Sequence, residues 1–97
     1  MTIEKTADGE KLLIKLTGRL DTSTAPELEK EVTALQGVSD LTFDFVNLEY
    51  ISSAGLRVLL AAQKIMNKQG SMVIKNVNDT IDEVFEITGF SEILTIE

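Results

Sequence analysis

At 97 residues, with 43% apolar and 26% charged side chains, the chain has the length and composition of one ordinary globular domain, residues 1–97, able to bury a core without staples. It has no cysteine and no histidine, which excludes disulfides, thiolate or imidazole metal sites and Ser-His or Cys-His hydrolysis, and no cofactor is expected. A net charge of −7 argues against nucleic acid or an anionic membrane as partner, and no apolar run nears the ~20 residues of a membrane span, nor does MTIEKTADGE hold a hydrophobic signal region; the chain reads as cytoplasmic.

Thr2–Thr6 alternates weakly, Ala7-Asp8-Gly9-Glu10 is a turn, and Lys11–Thr17 sets Leu12, Ile14 and Leu16 on one face, so the chain opens with a hairpin. Gly18–Ser23 reads as a loop. Thr24-Ala25-Pro26-Glu27 has capping-box spacing, and Leu28, Val32 and Leu35 form an apolar stripe, which predicts a helix of about three turns ended by Gly37. Leu41–Val46 is a strand with Leu41, Phe43 and Phe45 on one face, followed by a loop at Asn47–Ser52. Ala54–Gln69, apolar almost all round and stopped by Gly70, is a largely buried helix. Ser71–Lys75 is a short buried strand. Asn78 or Asp79 caps a third helix with Ile81, Val84, Phe85 and Ile87 or Thr88, Gly89 stops it, and the tail FSEILTI can add a last strand. Alternation after the hairpin argues for crossover units: an α/β fold with a mixed sheet of four to five strands, partly parallel, and three to four helices packed against it.

Charge is unevenly spread. Residues 50–77 carry Arg57, Lys64, Lys68 and Lys75 with no acid, whereas residues 78–97 carry acids and no base. At about 100° per residue, Arg57, Ala61, Lys64 and Lys68 share a helix sector of roughly 60°, with Ser53 just beside it. Ser52-Ser53-Ala54-Gly55 puts two hydroxyls at the start of that helix. One reading is a helix cap, the oxygen accepting an otherwise unpaired backbone N–H. The other is phosphorylation, since a helix N-terminus favours an added anion and Arg57 lies one turn away. The two are compatible. Asp44, in a strand, is read as satisfied by neighbouring N–H groups and is given no catalytic role; Asp79, Asp82, Glu83 and Glu86 read as a solvated helix face.

The segment Asp44–Leu60 (DFVNLEYISSAGLRVLL) resembles the signature of the STAS domain, the family of bacterial anti-sigma-factor antagonists, in which Asp-Leu-Ser-Gly-Val precedes Phe-Ile-Asp-Ser-Ser-Gly-Leu at the head of a helix. Asp44-Phe45, Leu48, Tyr50-Ile51, Ser53, Gly55-Leu56 and Val58 match in register. LTGRLDTSTAPEL (Leu16–Leu28) and VFEITGFSEI (Val84–Ile93) resemble two further family motifs, so the likeness spans nearly the whole chain.

The resemblance implies a partner switch. The unphosphorylated protein binds an anti-sigma factor that is also a serine kinase, phosphorylation of Ser53 breaks the complex, and a serine phosphatase resets it. Ser52 stands where the family usually has Asp, and Ala54 where a second Ser is frequent, which leaves Ser52 as a competing acceptor. The implied partner surface comprises Asp21, Thr22 and Ser23 of one loop with Ser52, Ser53, Ala54, Gly55 and Arg57, on a chain expected to act as a monomer and not as an enzyme. Small proteins of this family also serve as accessory subunits of membrane transport complexes, which is the alternative. A hydrolase using Ser53 lacks both a histidine base and a G-x-S-x-G elbow.

Overall fold

Every residue from Met1 to Glu97 is described in the computed structural model. Strand β1 (Thr2–Asp8) turns through Gly9 into β2 (Lys11–Leu20), helix α1 (Ala25–Val32) leads to β3 (Asp40–Ile51), and helix α2 (Ser53–Gln69) leads to β4 (Ser71–Lys75); helix α3 (Asp79–Thr88) and a 3-10 turn (Phe90–Glu92) follow. The four strands lie in the order β1-β2-β3-β4, the first pair antiparallel and the other two parallel. This is the mixed α/β sheet expected from the alternation of elements. Two successive crossovers step the same way across the sheet, and the right-handed rule for such units puts α1 and α2 on one face. Burial agrees: Ile14, Leu16, Leu41, Phe43, Phe45, Met72 and Ile74 are buried with the helices, while their neighbours along each strand are not.

The strands run further than the sequence pattern implies. Residues 18–20 and 47–51, expected in loops, continue β2 and β3. Two register shifts, between Lys15 and Thr17 and between Gly18 and Arg19, each give β3 one residue more than β2. Such bulges replace the two-residue alternation by a three-residue one, in which Phe45, Leu48 and Ile51 are buried and the pairs between them are exposed.

Helix α1 is shorter than expected and stops at Val32, with Leu35 buried in the connection beyond it. Gln69 of α2 donates to the carbonyls of Leu35 and Val38, 2.8 Å each, which satisfies that non-helical turn. Asn78 caps α3 by accepting from the Ile81 N–H at 2.8 Å, and Ile81 and Phe85 are buried while Ile87 is 77% exposed. The predicted last strand reduces to a single parallel bridge, Ile74 to Ile96, because the 3-10 turn consumes the first half of the tail. No helix is long and apolar enough to cross a membrane.

Candidate functional site

Parallel pairing brings β2 and β3 to the same end of the sheet, with Leu20 opposite Ile51. There the Ser52 N–H donates to the Leu20 carbonyl at 2.9 Å, so the loop that follows β2 and the head of α2 are joined through backbone.

Ser52 is the cap of α2. Its backbone is extended (φ −101°, ψ 175°), its Oγ accepts from the Gly55 N–H at 3.4 Å, and its carbonyl takes the first helical bond from Leu56 at 2.9 Å. Ser53, the first helical residue, is exposed, whereas Ser52 is half-buried. Gly55 is buried one turn in. A Cβ there would lie 2.7 Å from Leu20 Cγ and 2.9 Å from Ile51 Cγ1, so the absence of a side chain lets the helix head sit on the two strand ends. Arg57 is exposed, and the three ion pairs of the molecule, Lys5–Glu31, Arg19–Asp21 and Lys75–Glu97, do not include it.

Asp21 organises the opposing loop. Its Oδ1 accepts from the Ser23 hydroxyl at 2.7 Å and from the backbone N–H groups of Ser23 and Thr24 at 3.0 and 3.1 Å. Donation by the Ser23 hydroxyl, opposed by partial desolvation and reinforced by the Thr24 and Ser23 N–H groups, holds the Asp21 carboxyl below its usual range. The expected capping box is not formed. Thr24 has no side-chain cap bond to α1; its hydroxyl faces back, accepting from the Asp21 N–H at 2.9 Å and donating to the Arg19 carbonyl at 2.8 Å.

Thr22, Ala54 and Arg57 meet across a shallow groove of ≈ 230 Å³ between α1 and α2, floored by Ala25, Val58 and Ala61. Ser23 and Ser53 stand exposed. Pro26 and Glu29 of α1 also line the groove and escaped sequence reasoning, as did a pair at the strand ends: the Arg19 guanidinium lies 4.3 Å over the Tyr50 ring and its Nε is 3.9 Å from Asp21 Oδ2. No local pattern announces that pair. Arg19 and Tyr50 are register partners only because of the bulges in β3. Asp44 lies elsewhere, on the far face of the sheet, and accepts from the Val46 N–H at 3.0 Å and the Asn76 side chain at 2.9 Å, a structural role in line with the expectation for it.

A hairpin-led mixed sheet of four strands with three helices is the STAS fold. The family model described as Mlab, STAS domain matches residues 3–95, and the chain belongs to this family. Among relatives, it is 31% identical to the anti-sigma-B factor antagonist of Staphylococcus aureus, over 99% of this chain and 92% of that protein. It is 39% identical to BtrV of Bordetella bronchiseptica, which carries the name of an anti-sigma factor antagonist, over 88% of this chain and 76% of that protein. Among solved structures, the fold matches the anti-sigma factor antagonist SpoIIAA in its unphosphorylated form, with a TM-score of 0.78 at 18% identity over 99% of this chain and 87% of that one. Bacillus SpoIIAA in the phosphorylated form gives 0.77 at 19%, covering 99% and 91%. A sulfate transporter family protein of Wolinella succinogenes shares the fold with a TM-score of 0.78 at 17%, covering 93% and 75%.

Proposed function

We propose that this chain is an anti-sigma-factor antagonist that works as a phosphorylation-controlled binding switch. Unmodified, it binds an anti-sigma factor that is also a serine kinase; transfer of the γ-phosphoryl group of ATP to Ser53 Oγ releases it, and a serine phosphatase restores the binding form. The observation that carries this reading is the division between the two serines: Ser52 Oγ is engaged by the Gly55 N–H in a half-buried cap, while Ser53 is exposed beside it. A kinase reaches the second without dismantling the helix start. The partner surface comprises the Asp21-Thr22-Ser23 loop, Ser53, Ala54, Arg57 and the groove between α1 and α2, with Ser52 and Gly55 holding it from beneath.

A phosphate brings about −1.5 to −2 charges to that rim. Against an acidic or apolar partner patch it imposes repulsion and desolvation, and a salt bridge from Arg57 to the new phosphate would withdraw that cation from the partner. This is binding chemistry and needs no catalyst within the chain. The names of the relatives support it, and it implies a cytoplasmic protein.

A second reading, an accessory subunit of a membrane transport complex, is favoured by the fold shared with a sulfate transporter family protein. A pull-down from the native host with wild type, Ser53→Ala and Ser53→Asp tests both. The first reading expects a kinase-fold protein bound by wild type and Ser53→Ala and lost with Ser53→Asp, with phosphoserine at position 53 found by mass spectrometry after incubation with that kinase and ATP. Recovery of a permease or transport ATPase supports the second, and loss of no protein on Ser53→Asp sinks the switch.

A further inference from the structure

The helices cover one face of the sheet and leave the other open. On the open face the strand register sets side chains in rows. One row, from β1 to β4, is Glu4, Lys15, Asp44, Lys75; another is Asp8, Lys11, Asp40, Ser71; between them runs an uncharged band of Thr6, Leu13, Thr42 and Val73. Leu13 is 37% exposed, and Thr42 and Val73 are half-buried. Although the chain is strongly acidic, this face is close to neutral, with alternating signs across each charged row.

Alternation of this kind is self-complementary about one axis only. With a two-fold axis parallel to the strands and between β2 and β3, a second copy lays its β4 over β1 and its β3 over β2. Glu4 then faces Lys75, Lys15 faces Asp44, Lys11 faces Asp40, and the uncharged band faces itself. With the axis across the strands, Glu4 would face Asp8, Lys15 would face Lys11 and Asp44 would face Asp40, like charge on like in three of the four pairs, with Lys75 facing Ser71. We propose that the open sheet face is a self-association surface, on which a second copy of this chain stacks about the axis parallel to the strands.

The arrangement is isologous, each contact occurring twice, and matches the aligned packing of sheets about 10 Å apart. Intrasheet pairing alone accounts for Lys15 between Glu4 and Asp44, but not for Leu13 and Val73 set in an uncharged band between two charged rows. Lys75 also has Glu97 at 3.9 Å, which it keeps while facing Glu4 of the second copy. Four strands about 4.8 Å apart and about five residues long make a patch of roughly 19 by 17 Å, about 650 Å² in total over two copies and below the ~1,200 Å² of stable complexes, so the dimer is weak and forms at high concentration. The expected monomer is then the dilute form. This face lies opposite the α1–α2 groove, so association leaves Ser53 free.

Sedimentation equilibrium of the purified chain across its Kd tests the proposal. Lys15→Asp sets like charges opposite each other twice and raises Kd about tenfold or more, as does Asp44→Lys. The double variant Lys15→Asp with Asp44→Lys restores opposite signs and returns Kd to within about threefold of wild type. Leu13→Lys, at a site exposed in the fold, weakens association without burden on the core, and thermal melts report whether each variant is folded. Ser53→Asp leaves Kd unchanged. A wild type that stays monomeric to about 1 mM, a double variant as weak as either single one, or a dimer lost with Ser53→Asp overturns it.

Discussion

Replacing Gly55 by alanine tests whether the α2 head is held in place by close contact with the ends of β2 and β3. The new Cβ would lie 2.7 Å from Leu20 Cγ, 2.9 Å from Ile51 Cγ1 and 3.0 Å from Leu20 Cδ2. Carbon atoms pack at about 3.5 to 4.0 Å, so the three contacts are short by roughly 0.5 to 1 Å. Leu20 is fully buried and Ile51 nearly so, which leaves neither a free rotamer. Forcing a methyl group into such a site costs about 1 to 3 kcal/mol, and alanine returns up to about 1 kcal/mol through lower backbone entropy in the unfolded chain. The net expectation is a loss of about 1 to 2 kcal/mol, a fall of about 4 to 16 °C in Tm for a chain of this size. Circular-dichroism melts of wild type and Gly55→Ala measure it. Because relief requires α2 to lift from the strand ends, Gly55→Ala also weakens partner capture more than its stability loss explains. A Tm equal to or above that of wild type would refute the close-contact account.

The two serines separate by stability. Ser52→Ala loses a cap whose bond is long, 3.4 Å, and is expected to cost about 0.5 to 1 kcal/mol, whereas Ser53→Ala stays within about 0.5 kcal/mol of wild type in urea titrations; the reverse order would contradict the assignment of the cap. Asn78→Ala removes both the cap bond to the Ile81 N–H and the 3.0 Å donation to the Leu48 carbonyl, for a loss of about 1 to 3 kcal/mol by the same measurement. For Asp44, donation by Asn76, opposed by desolvation and reinforced by the Val46 N–H and by Lys15, lowers the carboxyl below its ordinary 3.8. Its stabilisation is therefore present above pH 3.8 and lost as pH falls through the lower folded value. The Tm gap between wild type and Asp44→Asn is expected to be constant near neutrality and to close below pH 3.8; a gap unchanged at pH 2.5 would count against it.

Where the periodicity of the chain is regular, it announced the structure. The stripe of α2, the alternation Leu41-Phe43-Phe45 and the glycine stops at Gly70 and Gly89 all have local causes, and each element formed where its pattern put it. What was hidden depends on long-range pairing. The bulges of β3 change its burial period from two residues to three, a pattern that reads as loop and yet brings Arg19 over Tyr50. Thr24 and Glu27 have capping-box spacing, but the hydroxyl turns toward Arg19 because Asp21 already organises the loop. The proximity of the Asp21 loop to the serines came from family likeness, and its physical basis, the bond from Ser52 N–H to the Leu20 carbonyl, exists only once β2 and β3 are parallel.

The separation of cap from acceptor also bears on how the proposed switch spends its energy. A phosphate on Ser52 would have to displace the Gly55 N–H from a half-buried oxygen beside Leu20, so the modification would strain the fold. On exposed Ser53 it meets the positive end of α2, which favours an anion by about 0.3 to 1 kcal/mol. Modification there leaves the domain folded and, if anything, firmer at the helix start. Release then has to come from the interface alone. A hundredfold loss of affinity requires about 2.7 kcal/mol, and like-charge contact or an unpaired, desolvated dianion at an interface supplies several kcal/mol. The magnitudes therefore allow a switch in which the chain keeps one fold and changes only its surface.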